Sequence, residues 1–316
     1  MTQFYNLIQS IFVLFALILC TGWLKRRRIL SDEHHVVFGK LVTDFALPAL
    51  IFSNLSRGPL ALEKMFPAML MLASVVVCLF MVLGAGFLLK LERPVLGSLA
   101  LVTGFGSSST LGYSFVNQVF GGNLEAMKDA IIIGEFGNCI PVFTLGVAIA
   151  VYFGKPESGQ GNIWSTAKSF FYSPIFVSTV LGLICSFLAF PEDSVVVRLL
   201  YHVLDTIGGT LMVLVAVTIA LLLKPIDVRS LIVLVGIVAG LKLLVEPALA
   251  GLSAMYFGVP VLEREVLVLE TAMPAGTVSA VIAARFGCDG AIASTLVVAT
   301  YLLSLVTLPL MFFVTL

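Results

Sequence analysis

Long apolar runs separated by short polar ones set the pattern of this chain. A run of about 20 apolar residues is long enough to cross a bilayer as a helix. The pattern predicts ten such spans, roughly Phe4–Leu24, Val36–Ser56, Phe66–Leu89, Pro94–Phe120, Ala130–Phe153, Ser169–Phe190, Val195–Leu223, Ser230–Phe257, Leu262–Ala284 and Ala291–Val314. Two of them are interrupted near the middle. The fourth carries Gly104-Phe105-Gly106-Ser107-Ser108-Ser109-Thr110-Leu111-Gly112, and the ninth carries Glu270-Thr271-Ala272-Met273-Pro274-Ala275-Gly276-Thr277. Pro274 lacks the N–H that a continuous helix needs, and Gly276 tolerates backbone angles that other residues resist. Lipid cannot satisfy the backbone groups that a break releases, so each break must face protein or a water-filled cavity. We therefore expect two broken helices meeting near the midplane.

Between the fifth and sixth spans lies Gly154–Asn162, polar and rich in Gly and Pro, which reads as a loop. It divides the chain into a first half (1–153), a linker (154–166) and a second half (167–316). The halves share landmarks: Pro94 and Pro260 are 166 residues apart, as are Gly121 and Gly287. Five spans per half is an odd number, so the second half must enter the membrane upside down. That is the inverted repeat of secondary transporters, whose sites lie at discontinuous helices. Lys and Arg near the span ends favour both termini outside, with 11 positive residues on the cytoplasmic side against 5 outside, and a cytoplasmic linker. The run Lys25–Arg28 carries most of that bias. It follows the first apolar stretch, the reverse of a secretory signal peptide.

Composition narrows the class. The chain has 316 residues, 59% hydrophobic and 11% charged, with a mean hydropathy of +1.10. It reads as an all-α polytopic membrane protein with no room for a sizeable soluble domain. Its standing partner is membrane lipid, and a homodimer is compatible with the sequence. Net charge is zero and no basic patch is interleaved with exposed aromatics, so nucleic acid is not expected. Cys20, Cys78, Cys139, Cys185 and Cys288 show no CxxC spacing, and the adjacent His34 and His35 do not share a helix face. No metal or cofactor is expected. An enzyme is not expected either: the chain lacks both His-Glu-x-x-His and Asp-rich clusters.

Ionisable groups inside a membrane are costly and point to function. The candidates within the spans are Asp44, Glu135, Asp205, Lys242, Glu246 and Glu270. Asp44, Glu135 and Glu270 are the ion-coupling candidates, because a desolvated carboxyl group can take up a proton. Lys242 and Glu246, at i and i+4, read first as a structural ion pair. Ser107, Ser108, Ser109 and Thr110 form a hydroxyl cluster at the first break, and Thr271, Thr277 and Ser279 surround the second. A broken helix also exposes a fresh N-terminus, whose N–H groups and partial positive charge attract carboxylates. We expect the second half-helices to begin near Gly112 and Thr277. The expected substrate site comprises Ser107, Ser108, Ser109, Thr110, Gly112, Asn117, Met273, Pro274, Gly276 and Thr277. Asn54, Asn117 and Asn138 need polar partners and, taken singly, read first as helix–helix contacts.

Three segments resemble one family. Asp44-Phe45-Ala46-Leu47-Pro48-Ala49-Leu50-Ile51-Phe52 looks like the second-helix signature of the auxin efflux carriers. Ala272-Met273-Pro274-Ala275-Gly276, then Ala284-Arg285-Phe286-Gly287 and Thr307-Leu308-Pro309-Leu310, are similar to that family's C-terminal pattern. The resemblance implies ten helices in two inverted repeats, with helices four and nine crossing, in a fold shared with bile acid:sodium symporters. It implies a permease or efflux carrier in the cytoplasmic (inner) membrane moving a small organic anion, with H+ or Na+ as the coupling ion. Bacterial members are described as malonate or malate permeases. The first break departs from the family pattern: it holds Ser107–Thr110 where Asn, often with Pro, is common, and this bears on the substrate. A sodium-coupled symporter of bile-acid type, a channel and a transport-like sensor are the alternatives.

Overall fold

The structure, a computed structural model, describes residues 2–57, 64–154, 172, 174–188, 194–222 and 231–314. Apart from Gly154, the expected linker lies outside the described residues, as do the flanking Lys155, Lys168, Lys224 and Arg229. In chain order the α-helices are α1 (Thr2–Arg26), α2 (His35–Leu41), α3 (Leu47–Leu55), α4 (Met65–Leu88), α5 (Arg93–Gly104), α6 (Tyr113–Val119), α7 (Leu124–Gly134) and α8 (Val147–Phe153). They continue as α9 (Pro174–Leu188), α10 (Val195–Gly209), α11 (Leu211–Leu222), α12 (Ile232–Gly240), α13 (Glu246–Tyr256), α14 (Val261–Thr271), α15 (Thr277–Arg285) and α16 (Gly290–Val314). The described residues contain no β-strand, only one isolated bridge. By length and composition, six described helical stretches can cross a membrane: Val37–Leu55, Met65–Leu88, Leu124–Phe153, Val195–Thr218, Ile232–Tyr256 and Gly290–Val314.

Several of these stretches contain a widened, π-helical turn, at Val42–Ala46, Glu135–Cys139, Val142–Gly146 and Leu241–Val245. Three have a common cause. Pro48, Pro141 and Pro247 each stand two residues after the end of such a turn. Proline has no N–H and its ring crowds the carbonyl four residues earlier, so the preceding backbone opens instead of breaking. The opened turns carry Asp44, then Glu135, Asn138 and Cys139, then Lys242.

The chain folds into two compact units, each drawing on both halves of the sequence. The first comprises 1–64, 113–131 and 169–224. In it α3 packs on α9 and α10, and glycines permit the approach: a Cβ at Gly182 would lie 2.9 Å from Leu55 Cβ. A polar network crosses that contact. Arg57 pairs with Asp205 at 2.6 Å and lies over the Tyr201 ring, while Ser56 and Tyr201 share a bond of 3.0 Å. Asp205, a span-embedded ionisable group by sequence, is thus held in an ion pair.

The second unit comprises 65–112, 132–168 and 225–316. Here α4 packs on α5, α13 and the Glu135–Cys139 turn, α5 packs on α8, α15 and α16, and α14 packs on α13. Met71, Val75, Cys78, Leu99, Val102, Leu243, Val266 and Leu296 fill its core. Both helix breaks lie in this unit.

Candidate functional site

The first break follows α5. Phe105 is extended (φ −122°, ψ 118°), and the helix resumes as a π turn over Ser108–Gly112. It therefore restarts about one turn earlier than Gly112, the position expected from sequence. The second break follows α14, and α15 begins at Thr277 as expected, with Gly276 extended before it (φ −72°, ψ 138°). The two extended pieces lie antiparallel, bridged at Gly106 and Ala275. Ser107 N–H donates to Pro274 O at 2.8 Å and Gly276 N–H donates to Phe105 O at 2.9 Å. Close approach to backbone demands glycine at Gly276, and at Gly106 the end of the Lys242 side chain comes as near. A Cβ at Gly276 would lie 2.9 Å from Gly106 O, and one at Gly106 would lie 2.9 Å from Lys242 Nζ.

Side chains take up what the ladder leaves. Asn138 Oδ1 accepts from Gly106 N–H at 3.0 Å, and Asn138 Nδ2 donates to Gly106 O at 2.9 Å. Ala275 N–H donates to Thr300 Oγ1 at 3.2 Å. Each of these backbone groups, released by a broken helix, is satisfied by protein, as a membrane interior requires. Sequence reasoning left Asn138 as ordinary helix–helix contact and passed over Thr300 and Tyr301. Nothing in a single polar residue on an apolar helix signals that its partner is a backbone break far along the chain.

The hydroxyl cluster is gathered but not uniform. Ser107 and Thr110 hydroxyls bond to each other, and Tyr301 OH donates to Ser107 Oγ at 2.9 Å. Ser109 and Thr110 are half-buried, and Ser109 lies beside Cys139. Ser108 is fully buried. Its hydroxyl interacts with Glu270, yet the geometry falls short of a hydrogen bond and Ser108 Oγ has no other partner. Glu270 is also fully buried, and neither of its carboxyl oxygens has a hydrogen-bond partner. Its carboxyl group presses on Gly112, where a Cβ would lie 2.6 Å from Oε1 and overlap Oε2 as well.

Glu135 is buried beside Cys139 and interacts through space with Glu270. Lys242 and Glu246 form the ion pair expected of their spacing, Nζ to Oε1 at 2.7 Å, both fully buried. Glu246 Oε2 has no hydrogen-bond partner. The second unit thus brings together Ser107–Thr110, Gly112, Glu135, Lys242, Glu270, Met273, Pro274, Gly276 and Thr277. Met273 and Pro274 are buried in the second break, and Thr277 is half-buried at the start of α15.

Two candidates lie in the first unit instead. Asn117 sits half-buried on α6, its carbonyl accepting from Gly122 N–H at 2.7 Å. Asp44 was expected to be interior. It stands on the turn opened before Pro48, is exposed on this chain and accepts a bond from Thr43 Oγ1 at 2.8 Å.

Comparison with known proteins bears on the whole chain. A family described as "Membrane transport protein" matches residues 6–159 and 162–312. An uncharacterised transporter of Methanocaldococcus jannaschii is 25% identical over 266 residues, covering 83% of each chain. An uncharacterised transporter of Methanothermobacter thermautotrophicus is 24% identical over 305 residues, covering 96% of each.

Proposed function

This chain belongs to the membrane transport protein family, in keeping with its resemblance to the auxin efflux carriers, and we propose that it is a secondary active transporter of a small organic anion, a carboxylate. The substrate carboxylate binds between Ser107–Gly112 and Pro274–Thr277 and is carried across the cytoplasmic membrane by alternating access. In this reading ten helices form two inverted five-helix repeats, 1–153 and 167–316, joined by a cytoplasmic linker, with both termini outside. Both repeats bring their broken helix to one place, and the antiparallel bridge between Gly106 and Ala275 is the observation that carries the reading.

The charges point to coupling. Lys242 pairs with Glu246 and also acts on Glu270 through space, and Glu135 and Glu270 are two further buried acids beside the breaks. Like charges repel strongly where water is excluded. An incoming carboxylate therefore needs a positive charge to arrive with it, either a proton or a small cation. Glu270, with two unbonded oxygens at the break, is the group best placed to take it.

Counterflow in proteoliposomes with a panel of labelled dicarboxylates and aromatic acids tests the substrate class. Saturable exchange of one of them is expected, and conductance that does not saturate would mark a channel. A hydrogen bond to a charged group contributes roughly 1.5–3 kcal/mol, about tenfold to a hundredfold in affinity. Ser109→Ala and Thr277→Val should each weaken binding by that order in folded protein. Affinity held within about twofold by substitutions throughout both breaks would place the substrate elsewhere.

A further inference from the structure

Gly106 and Ala275 form a bridged pair whose hydrogen bonds are made by their neighbours, Ser107 to Pro274 and Gly276 to Phe105. In an antiparallel ladder, a residue so placed points its own N–H and C=O away from the partner strand. Gly106 therefore presents a bare edge, the kind that in a sheet takes another strand. Among the described residues no strand arrives. One side chain meets the edge: Asn138 accepts from Gly106 N–H at 3.0 Å and donates to Gly106 O at 2.9 Å. Ala275 points its N–H the other way, to Thr300 Oγ1 at 3.2 Å. The result is a row of four: Asn138 carboxamide, Gly106, Ala275, Thr300 hydroxyl.

The chemistry of the first member is restrictive. Facing both a donor and an acceptor of one residue requires an acceptor and a donor held in a plane, as in a peptide group. Among side chains the primary carboxamide of Asn or Gln provides this. Asp accepts only, Ser supplies one atom, and Leu supplies none. Asn138 is buried with both ends of its amide engaged on Gly106. It stands on the turn opened before Pro141.

We propose that Asn138 is a positioning residue of the transport site. Its carboxamide stands in for a third strand, and by fixing the peptide planes at Gly106 it sets the direction in which Ser107–Thr110 present their hydroxyls and N–H groups. The proposal rests on reading that cluster as the substrate site. Asn138 acts through the backbone and touches no substrate.

The test has one arm that needs no substrate. Amide hydrogen exchange is followed in nanodisc-embedded wild type, Asn138→Asp, Asn138→Leu and Asn138→Gln. Asp retains the acceptor for Gly106 N–H, so a folded variant is kept if Leu does not fold. Loss of one bond on a buried peptide should raise exchange at residues 106–110 about tenfold in the Asp variant, while amides of Met65–Leu88 stay unchanged. Gln, with both groups on a longer stem, should fall between Asp and wild type. The second arm measures counterflow of labelled malonate. The apparent KM should rise about tenfold in the Asp variant with Vmax within about twofold, a split that general destabilisation would not produce. Unchanged exchange at 106–110 in every folded variant would overturn the proposal, as would raised exchange with an unaltered KM. If wild type carries no malonate, only malonate is removed from the carboxylates that the proposed function allows, and the exchange arm decides whether Asn138 holds the break.

Discussion

A methyl group at residue 112 would test how tightly Glu270 is held. In Gly112→Ala the new Cβ would lie 2.6 Å from Glu270 Oε1 and 2.7 Å from Cδ. Comfortable contacts between such atoms need about 3.5 Å, so the carboxyl group must withdraw by nearly 1 Å. Glu270 is fully buried, so its carboxyl group can withdraw only among packed neighbours. Overpacking of this kind costs about 1–3 kcal/mol. For a chain of 316 residues, that corresponds to a fall of about 1.5–4.5 °C in apparent melting temperature. The decisive measurement is a double-mutant cycle in detergent or nanodiscs. Glu270→Ala removes the group that the methyl strikes, so the double variant should be more stable than the two single losses imply, by about 1–2 kcal/mol. Additivity within about 0.5 kcal/mol would show that the two side chains do not meet, and the geometry assigned to the break would be wrong.

Removing Lys242 should expose the cost of its partner. Lys242→Met strands the Glu246 carboxylate, with an expected loss of about 3–5 kcal/mol, and adding Glu246→Leu should restore most of it; a stable single variant would refute the buried pair. Tyr301→Phe removes one donor to Ser107 and should cost about 1 kcal/mol. Ser107→Ala also loses the bond to Thr110, so in the double variant the two losses should fall short of their sum by about the one shared bond, and full additivity in thermal unfolding would contradict it. A thiol at Ser31, beside the Lys25–Arg28 run, should react with a membrane-impermeant maleimide only from the cytoplasmic side once the five native cysteines are replaced. Labelling from outside would reverse the assigned topology.

The two breaks and the buried ion pair of the candidate site are legible because their signals are local. Glycine and proline inside an apolar run mark a break, since one lacks a side chain and the other an N–H, and both breaks occur where those residues stand. The i, i+4 spacing of Lys242 and Glu246 predicts their pair by helix geometry alone, and the pair forms. The restart of the first broken helix was placed at Gly112, yet the turn is already wound by Ser108: Leu111 N–H and Gly112 N–H both bond to Ser107 O. Glycine permits a break without dictating on which side of it the helix resumes. Asp44 shows the same limit. Its place in a span suggests an interior position, and only the folded chain shows it exposed.

The sequence by itself determined the class of this protein, because nonpolar length and helix-breaking residues act over a few turns of chain. It determined that the fourth and ninth apolar segments would be interrupted and which hydroxyls and carboxyl groups would lie near the interruptions. Tertiary structure decided what those groups meet. Asn138 reaches Gly106, Tyr301 reaches Ser107, Thr300 reaches Ala275, and Glu270 comes to rest against Gly112 with its oxygens unbonded. These partners lie between 25 and 194 residues apart in the hydrogen-bonded cases. No local pattern encodes such pairings; they exist only once packing has brought distant helices to within one hydrogen-bond length.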